Sequence, residues 1–214
     1  MPESIVEWKP RSRDRVFIRL SGGRFFTVPA AQMPALHPGA TLSDEDIEKL
    51  SRIDQYFRGK DKAVHLLAVR PRSRWEIKSA LDGIGLRPGI RDGVLLELEE
   101  KGLINDERFA REFVRNQIEL KLMGPHRLKF ALKKRGVSGS IIDEVISREV
   151  TDSGQEAAAW RLVRKKIGDR RPNDGDIRRL SGMLSRKGLD YGIINRVMYR
   201  LLQQSQDVEF EDDE

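Results

Sequence analysis

Lysine and arginine side chains are the residues of this sequence whose type and spacing favour a definite chemistry. Two segments, RLKFALKKR (127–135) and RLVRKKIGDRR (161–171), carry them at helical spacing, so that Lys129 and Lys133 lie one turn apart. Cations on one helix face bind phosphate groups through charge and make no sequence-specific contacts with the bases. The candidate binding residues are Arg111, Arg115, Lys121, Arg127, Lys129, Lys133, Lys134, Arg135, Arg161, Arg164, Lys165, Lys166, Arg170 and Arg171. The alternative is that these charges only solvate the outer faces of helices.

Side chains that would form a catalytic or metal-binding site are scattered. The histidines His37, His65 and His126 have no metal-ligating partner at a useful spacing, and the chain has 0 cysteines. The sequence contains no P-loop, and GIGLRPG (83–89) follows a predicted helix instead of the strand that a dinucleotide-binding loop requires. The acids of DGVLLELEEKG (92–102) are interpreted as the solvated face of a helix. We therefore predict a binding or regulatory protein, not an enzyme, with no cofactor and no metal.

The composition is that of a charge-rich globular protein. Of its 214 residues, 38% are hydrophobic and 35% are charged, and the formal net charge is +6. The charged residues of the final segment, DVEFEDDE, are all acidic, so the rest of the chain is more basic still and favours a polyanionic partner. No apolar run reaches the roughly 20 residues that span a bilayer. With no cysteine to oxidise, the expectation is a cytoplasmic protein that does not associate with membranes.

A phrase that occurs three times predicts the elements that position the basic residues. Its anchors are Gly85, Gly136 and Gly188, which are 51 and 52 residues apart. Each anchor has a leucine four residues before it and apolar residues five, nine and ten after it, as in a helix, a glycine break and a second helix. The predicted N-caps of the preceding helices are Ser73, Gly124 and Asp176. Because each copy also has an upstream apolar helix, we predict three three-helix repeats packed end to end.

Residues 1–59 differ from these repeats. The segment RVFIRLSGGRFFTV (15–28) alternates around a Gly-Gly pair, which predicts a β-hairpin with a two-residue turn. With that turn, Phe25 lies on the same face as Ile18, and Phe26 lies on the opposite face.

A helix is predicted from Ser43 to Phe57, ended by Arg58 and Gly59, and a separate helix is predicted from Ala63. The expected fold class is mainly α, a tandem and elongated array of three three-helix repeats behind a small β-hairpin and helix. The predicted boundaries are 1–59 for the N-terminal extension, 60–104, 105–152 and 153–206 for the repeats, and 207–214 for a disordered acidic tail.

The segment from Glu99 to Ile146 resembles the core signature of the RecX family of regulatory proteins. It contains a Gly-apolar-apolar joint, a polar cap before Phe-Ala-Arg, a Gly-Pro opening of the next helix and a Leu-x-x-x-Gly-apolar ending. The resemblance extends over roughly residues 60–204. Asn105 stands where the family usually has an acid, and asparagine caps a helix nearly as well.

The resemblance implies an all-helical array of three-helix repeats that modulates, and usually inhibits, the RecA recombinase. The implied partners are the RecA filament and single-stranded DNA, with double-stranded DNA left open. The protein is expected to act as a monomer in DNA repair, recombination and the SOS response. The alternative is a sequence-specific regulator of helix-turn-helix type, because three-helix units with a glycine turn are similar to that motif. Such a regulator would have one distinct recognition helix, whereas the basic residues here are spread over two predicted repeats.

Overall fold

The protein is mainly helical with a small sheet at its N-terminus, as predicted. The computed structural model describes residues 2–12, 14–32, 37–168 and 170–211. The strands in these ranges are β1 (Glu3–Ser12), β2 (Arg15–Leu20), β3 (Phe25–Pro29) and β4 (Thr41–Leu42). The helices are α1 (Asp44–Val69), α2 (Arg74–Asp82), α3 (Pro88–Glu100), α4 (Asp106–Lys121), α5 (Pro125–Lys133), α6 (Gly139–Glu149), α7 (Asp152–Ile167), α8 (Asp174–Arg186) and α9 (Tyr191–Glu211). The chain divides into two compact units, Met1–Ile104 and Asn105–Glu214.

None of the helices in the described ranges combines the length and the apolar character that crossing a bilayer requires.

The N-terminal sheet is larger than the predicted hairpin, and its register differs by one residue. All strands are antiparallel, in the order β3–β2–β1–β4. The β2–β3 loop is longer than two residues, because the Leu20 amide bonds to the Arg24 carbonyl at 2.8 Å. Ile18 therefore pairs with Phe26, and a shift of one residue moves every side chain to the other face. Phe26 is buried and Phe25 is 67% exposed, so the predicted faces were wrong.

Helix α1 is continuous through Gly59, which corrects the predicted helix end at this residue. Its first half packs against the sheet through Ile47 and Leu50, and its second half contributes Ala63 to a different core. Gly59 is buried inside this helix, and a Cβ there would lie 2.6 Å from the Leu86 Cδ1 atom. The glycine therefore permits a close approach of Leu86 and does not end the helix.

Each run of three successive helices encloses a core of its own. In the first, α1, α2 and α3 bury Ala63, Leu81 and Leu95 among others. Helices α4, α5 and α6 enclose the second core, and α7, α8 and α9 enclose the third. The basic residues of the second compact unit are therefore carried by helices whose inner faces are held by packing.

The three anchor glycines adopt the conformation that the sequence predicts. Gly85, Gly136 and Gly188 have φ angles of 72°, 72° and 84°, in the left-handed region that a side chain disfavours. The leucine four residues before each anchor is fully buried, at 0% exposure in all three cases. These matching conformations set the start of the helix that follows each joint.

The N-cap prediction for α8 was wrong. Its N-cap is Asn173, whose side-chain oxygen accepts a hydrogen bond from the Asp176 amide at 2.9 Å. The Asp176 carboxylate accepts one in return from the Asn173 amide at 3.2 Å, which completes a capping box. Asp176 is therefore the third residue of the helix and supports the cap from inside it. Ser73 and Gly124 are N-caps as predicted.

The acidic tail begins inside a helix. Helix α9 extends to Glu211, so the backbone of residues 207–211 continues this helix within the segment that the sequence assigns to the acidic tail, while residues 212–214 lie outside the described part of the chain. The physical reason is that an established helix adds further residues at little cost, because each new residue gains a hydrogen bond.

Glu97 on α3 accepts hydrogen bonds from Lys101, Lys60 and Tyr56, with the Lys60 Nζ atom at 2.8 Å. These donors lower the pKa of Glu97 from 4.5 to about 2. Because the pKa is lowered in the folded state, the stabilisation is fully present above pH of about 4.5 and is lost as the pH falls towards 2.

We expect Glu97→Gln to lower the free energy of unfolding at pH 7 by about 1 kcal/mol, since the carboxylate is partly exposed. The difference from the wild type should shrink as the pH is lowered from about 5 to 3, measured by urea denaturation. Glu100→Gln is the matched control, because this neighbouring glutamate is exposed. A pH-independent difference would contradict the assignment.

Candidate nucleic-acid interface

Two of the predicted binding residues connect α4 to α6. Arg115 donates two hydrogen bonds to the carboxylate of Glu149, at 2.7 Å and 3.1 Å, and Glu149 raises the pKa of Arg115. Arg111 pairs with Glu107 on the same helix and lies 3.7 Å from Glu149. A paired guanidinium of this kind is occupied within the protein. Both arginines therefore form contacts within the protein that connect the two helices.

Arg170 is also occupied, at the start of α8. It donates to both carboxylate oxygens of Asp176, at 2.6 Å and 2.8 Å, and Arg179 donates to the same group at 2.9 Å. These contacts hold the pKa of Asp176 below its usual range and raise the pKa of Arg170. Arg170 therefore reinforces the capping box of α8.

Three further candidates, on or near α5, each form one or two contacts within the protein. The Lys129 ammonium lies 2.7 Å from Asp143, in a pair whose members are both well exposed, so the pair contributes little to stability. Arg127 donates to the Arg186 carbonyl at 3.1 Å. Arg135 donates to the Ala131 carbonyl at 2.9 Å, and its guanidinium lies 4.5 Å from the centre of the Phe113 ring.

The remaining candidates are exposed. Lys121, Lys133, Lys134, Arg161, Lys165 and Lys166 form no side-chain ion pair or hydrogen bond with the part of the chain that the structure describes. Arg164 and Arg171 are exposed as well, and each makes an interaction inside the protein. The fourteen candidates thus range from cations that are paired inside the protein to cations that are available to a partner.

Most exposed cations of the second three-helix group that lack an internal side-chain contact lie on the outer face of α5. Leu128 and Leu132 point into the core at 0% exposure, and Lys129 and Phe130 between them are exposed. We call this outer face the α5 basic face; its exposed members are His126, Arg127, Lys129, Phe130, Lys133 and Lys134. The sequence of α5 contains no acidic residue. The face therefore combines positive charge with one aromatic ring.

A second set of exposed cations lies on α7, of which Arg161 and Lys165 form no side-chain ion pair or hydrogen bond with the described part of the chain. Arg161, Arg164 and Lys165 are spaced three and four residues apart and are exposed, while Val163 packs in the core at 0% exposure. We call these three residues the α7 basic face. Three cations also lie in the last turn of this helix, where they complement the partial negative charge of its C-terminus.

Backbone contacts between α5 and the end of α8 hold the α5 basic face in place. The Gly124 amide donates to the Lys187 carbonyl at 2.8 Å, and the His126 amide donates to the Gly188 carbonyl at 3.3 Å. Pro125, between them, has no amide proton to satisfy. The unpaired donors at the start of α5 are therefore met by the unpaired acceptors at the end of α8. Lys187 adds a side-chain bond to the Lys121 carbonyl at 2.6 Å.

Phe130 is a member of the α5 basic face that the sequence analysis missed. It is 71% exposed, although Phe is an apolar residue on a helix with a well-formed core. The helical spacing of Leu128 and Leu132 is the signal that would have placed Phe130 outside.

Trp75 and Trp160 have different environments. Trp75 is 50% exposed. Trp160 packs against the third core, with the Arg200 guanidinium 4.5 Å from its ring centre. Trp160 therefore serves packing, in contrast to the exposed ring of Phe130.

The structure groups no set of three histidine, cysteine or acidic side chains into a metal-binding arrangement within the described ranges. His126 instead pairs with Asp190 across 2.7 Å.

Comparison with known proteins identifies the region. Residues 105–146, which form α4 to α6, match the family model described as RecX, second three-helix domain. Regulatory protein RecX of Streptomyces coelicolor is 32% identical over 168 residues, which are 78% of this chain and 89% of that protein. Regulatory protein RecX of Clostridioides difficile is 27% identical over 92% of this chain and 94% of its own length. The match to Regulatory protein RecX of Listeria innocua is 32% identical and covers 48% of that protein.

Solved structures agree in fold. A crystal structure of regulatory protein RecX superposes with a TM-score of 0.69 at 22% identity, over 94% of this chain and 99% of the other. The crystal structure of RecX from Lactobacillus salivarius gives a TM-score of 0.63 at 22% identity, over 69% of this chain and 97% of the other. At this identity the agreement shows a shared fold.

Proposed function

This chain belongs to the RecX family of regulatory proteins, and from that premise we propose that it binds the RecA–DNA filament as a monomer and inhibits RecA. The proposal extends to the recombinase, ATPase and co-protease activities of RecA, and so to DNA repair, recombination and the SOS response. The observation that carries it is the α5 basic face, where Lys133 and Lys134 are exposed cations without an acid on their helix.

Charge supports a nucleic-acid component of the binding. The formal net charge is +6, and cations without an internal partner gain most from a phosphate, since they give up no existing contact. The binding is proposed to be directed to phosphates and therefore not sequence-specific. Arg115 and Arg170 are left out of the proposed contact surface, because each forms a two-bond pair with a carboxylate.

We further infer that the three-helix groups are tandem copies of one unit. Support comes from equivalent positions in the three joints, each with a left-handed glycine and a fully buried leucine four residues before it. In such arrays, neighbouring units share their contacts. The bonds from Gly124 and His126 to the end of α8 are contacts of this kind.

The rate of ATP hydrolysis by RecA on single-stranded DNA tests the proposal. We expect the rate to fall as this protein is added, with the half-maximal concentration below that of RecA if the protein acts along a filament. The control adds the protein to RecA without DNA. An unchanged or increased rate at all concentrations would contradict inhibition.

Binding to random and selected duplexes separates this proposal from a sequence-specific regulator, which would prefer the selected ones.

A further inference from the structure

The centre of the α5 basic face is an aromatic ring. Phe130 is 71% exposed, and on a helix with 3.6 residues per turn it lies opposite the buried Leu128 and Leu132. A single exposed apolar residue is common on protein surfaces and is not evidence of a site. What the ring of Phe130 can bind therefore depends on the residues around it.

Those neighbours are positively charged or polar. Arg127 and Lys133 are three residues before and after Phe130, and His126 and Lys134 are four residues before and after it, so all four flank the ring on the helix surface. Lys133 and Lys134 make no side-chain ion pair or hydrogen bond with the described chain. The ring thus lies beside cations that are available to a ligand.

Acidic groups reach this face at its edges. Asp143 lies 2.7 Å from Lys129, and Asp190 lies 2.7 Å from His126. These contacts are made by Lys129 and His126, and not by Lys133 or Lys134. The potential around Phe130 therefore stays positive, and a negatively charged ligand is complementary to it.

Within the described residues, the ring of Phe130 takes part in no aromatic or cation contact. Ring-to-ring contacts there join Phe17 with Phe25, Tyr56 with Phe57 and Phe109 with Phe113. The cations that lie over aromatic rings in the same residues use Phe57, Tyr56, Phe113 and Trp160. An exposed and unstacked ring between cations has the two features with which proteins bind single strands, a surface for a base and charges for the phosphates beside it.

We propose that Phe130 stacks on a base of single-stranded nucleic acid and makes the α5 basic face select single strands over duplexes. This inference rests on the proposed function, because it assumes that the same face meets nucleic acid. A phosphate contact alone does not distinguish the two forms, since both carry phosphates. In a duplex the bases are stacked on each other, so only a single strand offers a base to the ring.

The experiment compares the affinity of the full chain for an oligothymidylate and for a random duplex, by fluorescence anisotropy at several salt concentrations. Phe130→Leu keeps an apolar side chain and removes the aromatic face. We expect it to weaken single-strand binding about 10-fold, as for the loss of one stacked base, and to leave duplex binding within about twofold. Phe130→Trp should restore or exceed wild-type single-strand binding.

Matched variants separate stacking from other effects. Tyr191→Leu removes an aromatic ring that is 78% exposed on a different helix, and it should leave both affinities unchanged. Lys133→Gln with Lys134→Gln should weaken single-strand and duplex binding together and lower the salt dependence of both. Melting by circular dichroism verifies that each variant is folded.

The outcomes distinguish the two proposals. If the wild type binds single strands and Phe130→Leu leaves the ratio of single-strand to duplex affinity unchanged, the stacking proposal is wrong and the proposed function stands. If Phe130→Leu weakens only inhibition of the RecA ATPase and not binding to free DNA, the ring contacts protein, and the stacking proposal is again wrong. If the wild type neither binds DNA nor changes the ATPase rate, the proposed function itself fails.

Discussion

Replacing Lys133, Lys134, Arg161 and Lys165 with glutamine is expected to weaken binding to single-stranded DNA about 100-fold at physiological salt. The removal of each phosphate contact should lower the slope of log affinity against log salt by about 0.7, so the full variant should have a slope lower by about three. Inhibition of the RecA ATPase should fall with the affinity, because the same cations are proposed to hold the protein on the filament.

The fold should survive this change. All four side chains are exposed, and none has an ion pair or hydrogen bond within the described part of the chain, so the substitutions break no internal bond there. Glutamine retains the helix propensity of lysine and arginine closely. Substituting Arg115 would not be a clean test, because its two bonds to Glu149 connect α4 with α6.

Two smaller variants and a control make the result specific. The pairs Lys133 with Lys134 and Arg161 with Lys165 are each replaced separately, to assign the loss to α5 or to α7. The control replaces Lys49 and Lys62, two lysines of α1, and removes the same charge as either pair. If the control weakens binding as much as the pairs, net charge explains the result. If the four-residue variant inhibits as well as the wild type, the two basic faces are only solvated surfaces.

Gly124→Ala is expected to destabilise the protein by about 3–5 kcal/mol, a large effect for the addition of one methyl group. A Cβ at this position would lie 2.2 Å from the Gly188 carbonyl oxygen and 2.3 Å from its carbonyl carbon. These are backbone atoms of a helix end, which cannot rotate away as a side chain would. The variant must therefore separate α5 from the end of α8 and break the bond from the Gly124 amide to the Lys187 carbonyl.

Urea denaturation measures this destabilisation, with Gly139→Ala as the control. Gly139 begins α6, and a Cβ there would meet nothing within 4 Å. Alanine at such a site restricts the unfolded chain and should leave stability unchanged or raise it by up to about 1 kcal/mol. Equal unfolding free energies for the two variants would show that the contact between Gly124 and Gly188 is not a tight one.

Much of the helical architecture was readable from the sequence, because the signals are local. The glycines at 85, 136 and 188 need a left-handed conformation, and the leucines four residues earlier need burial, whatever surrounds them. The Ser73 cap and the Gly-Pro start of α5 are likewise determined within one helical turn. The same local patterns carried the resemblance to the RecX family.

Two errors in the fold have a common cause. Gly59 has the local appearance of a helix end, and only the approach of Leu86, from a distant part of the chain, explains a glycine in the middle of α1. The hairpin was misaligned because loops of two different lengths are compatible with the same Gly-Gly pair. Burial of Ile18 together with Phe26 in the core that α1 completes decides between them.

The sequence by itself determined which residues are cationic and which helices carry them. Only the tertiary structure decided which of these cations are available, because the acids that occupy them can be distant in the chain. Arg115 and Glu149 are separated by 34 positions and meet only when α4 packs on α6, whereas Lys133 and Lys134 meet no acid among the residues that the structure describes. The amino-acid sequence fixes which side chains carry charge, but the packing of the helices determines which charges are paired with each other. Packing therefore determines which cations remain on the surface that a partner can bind.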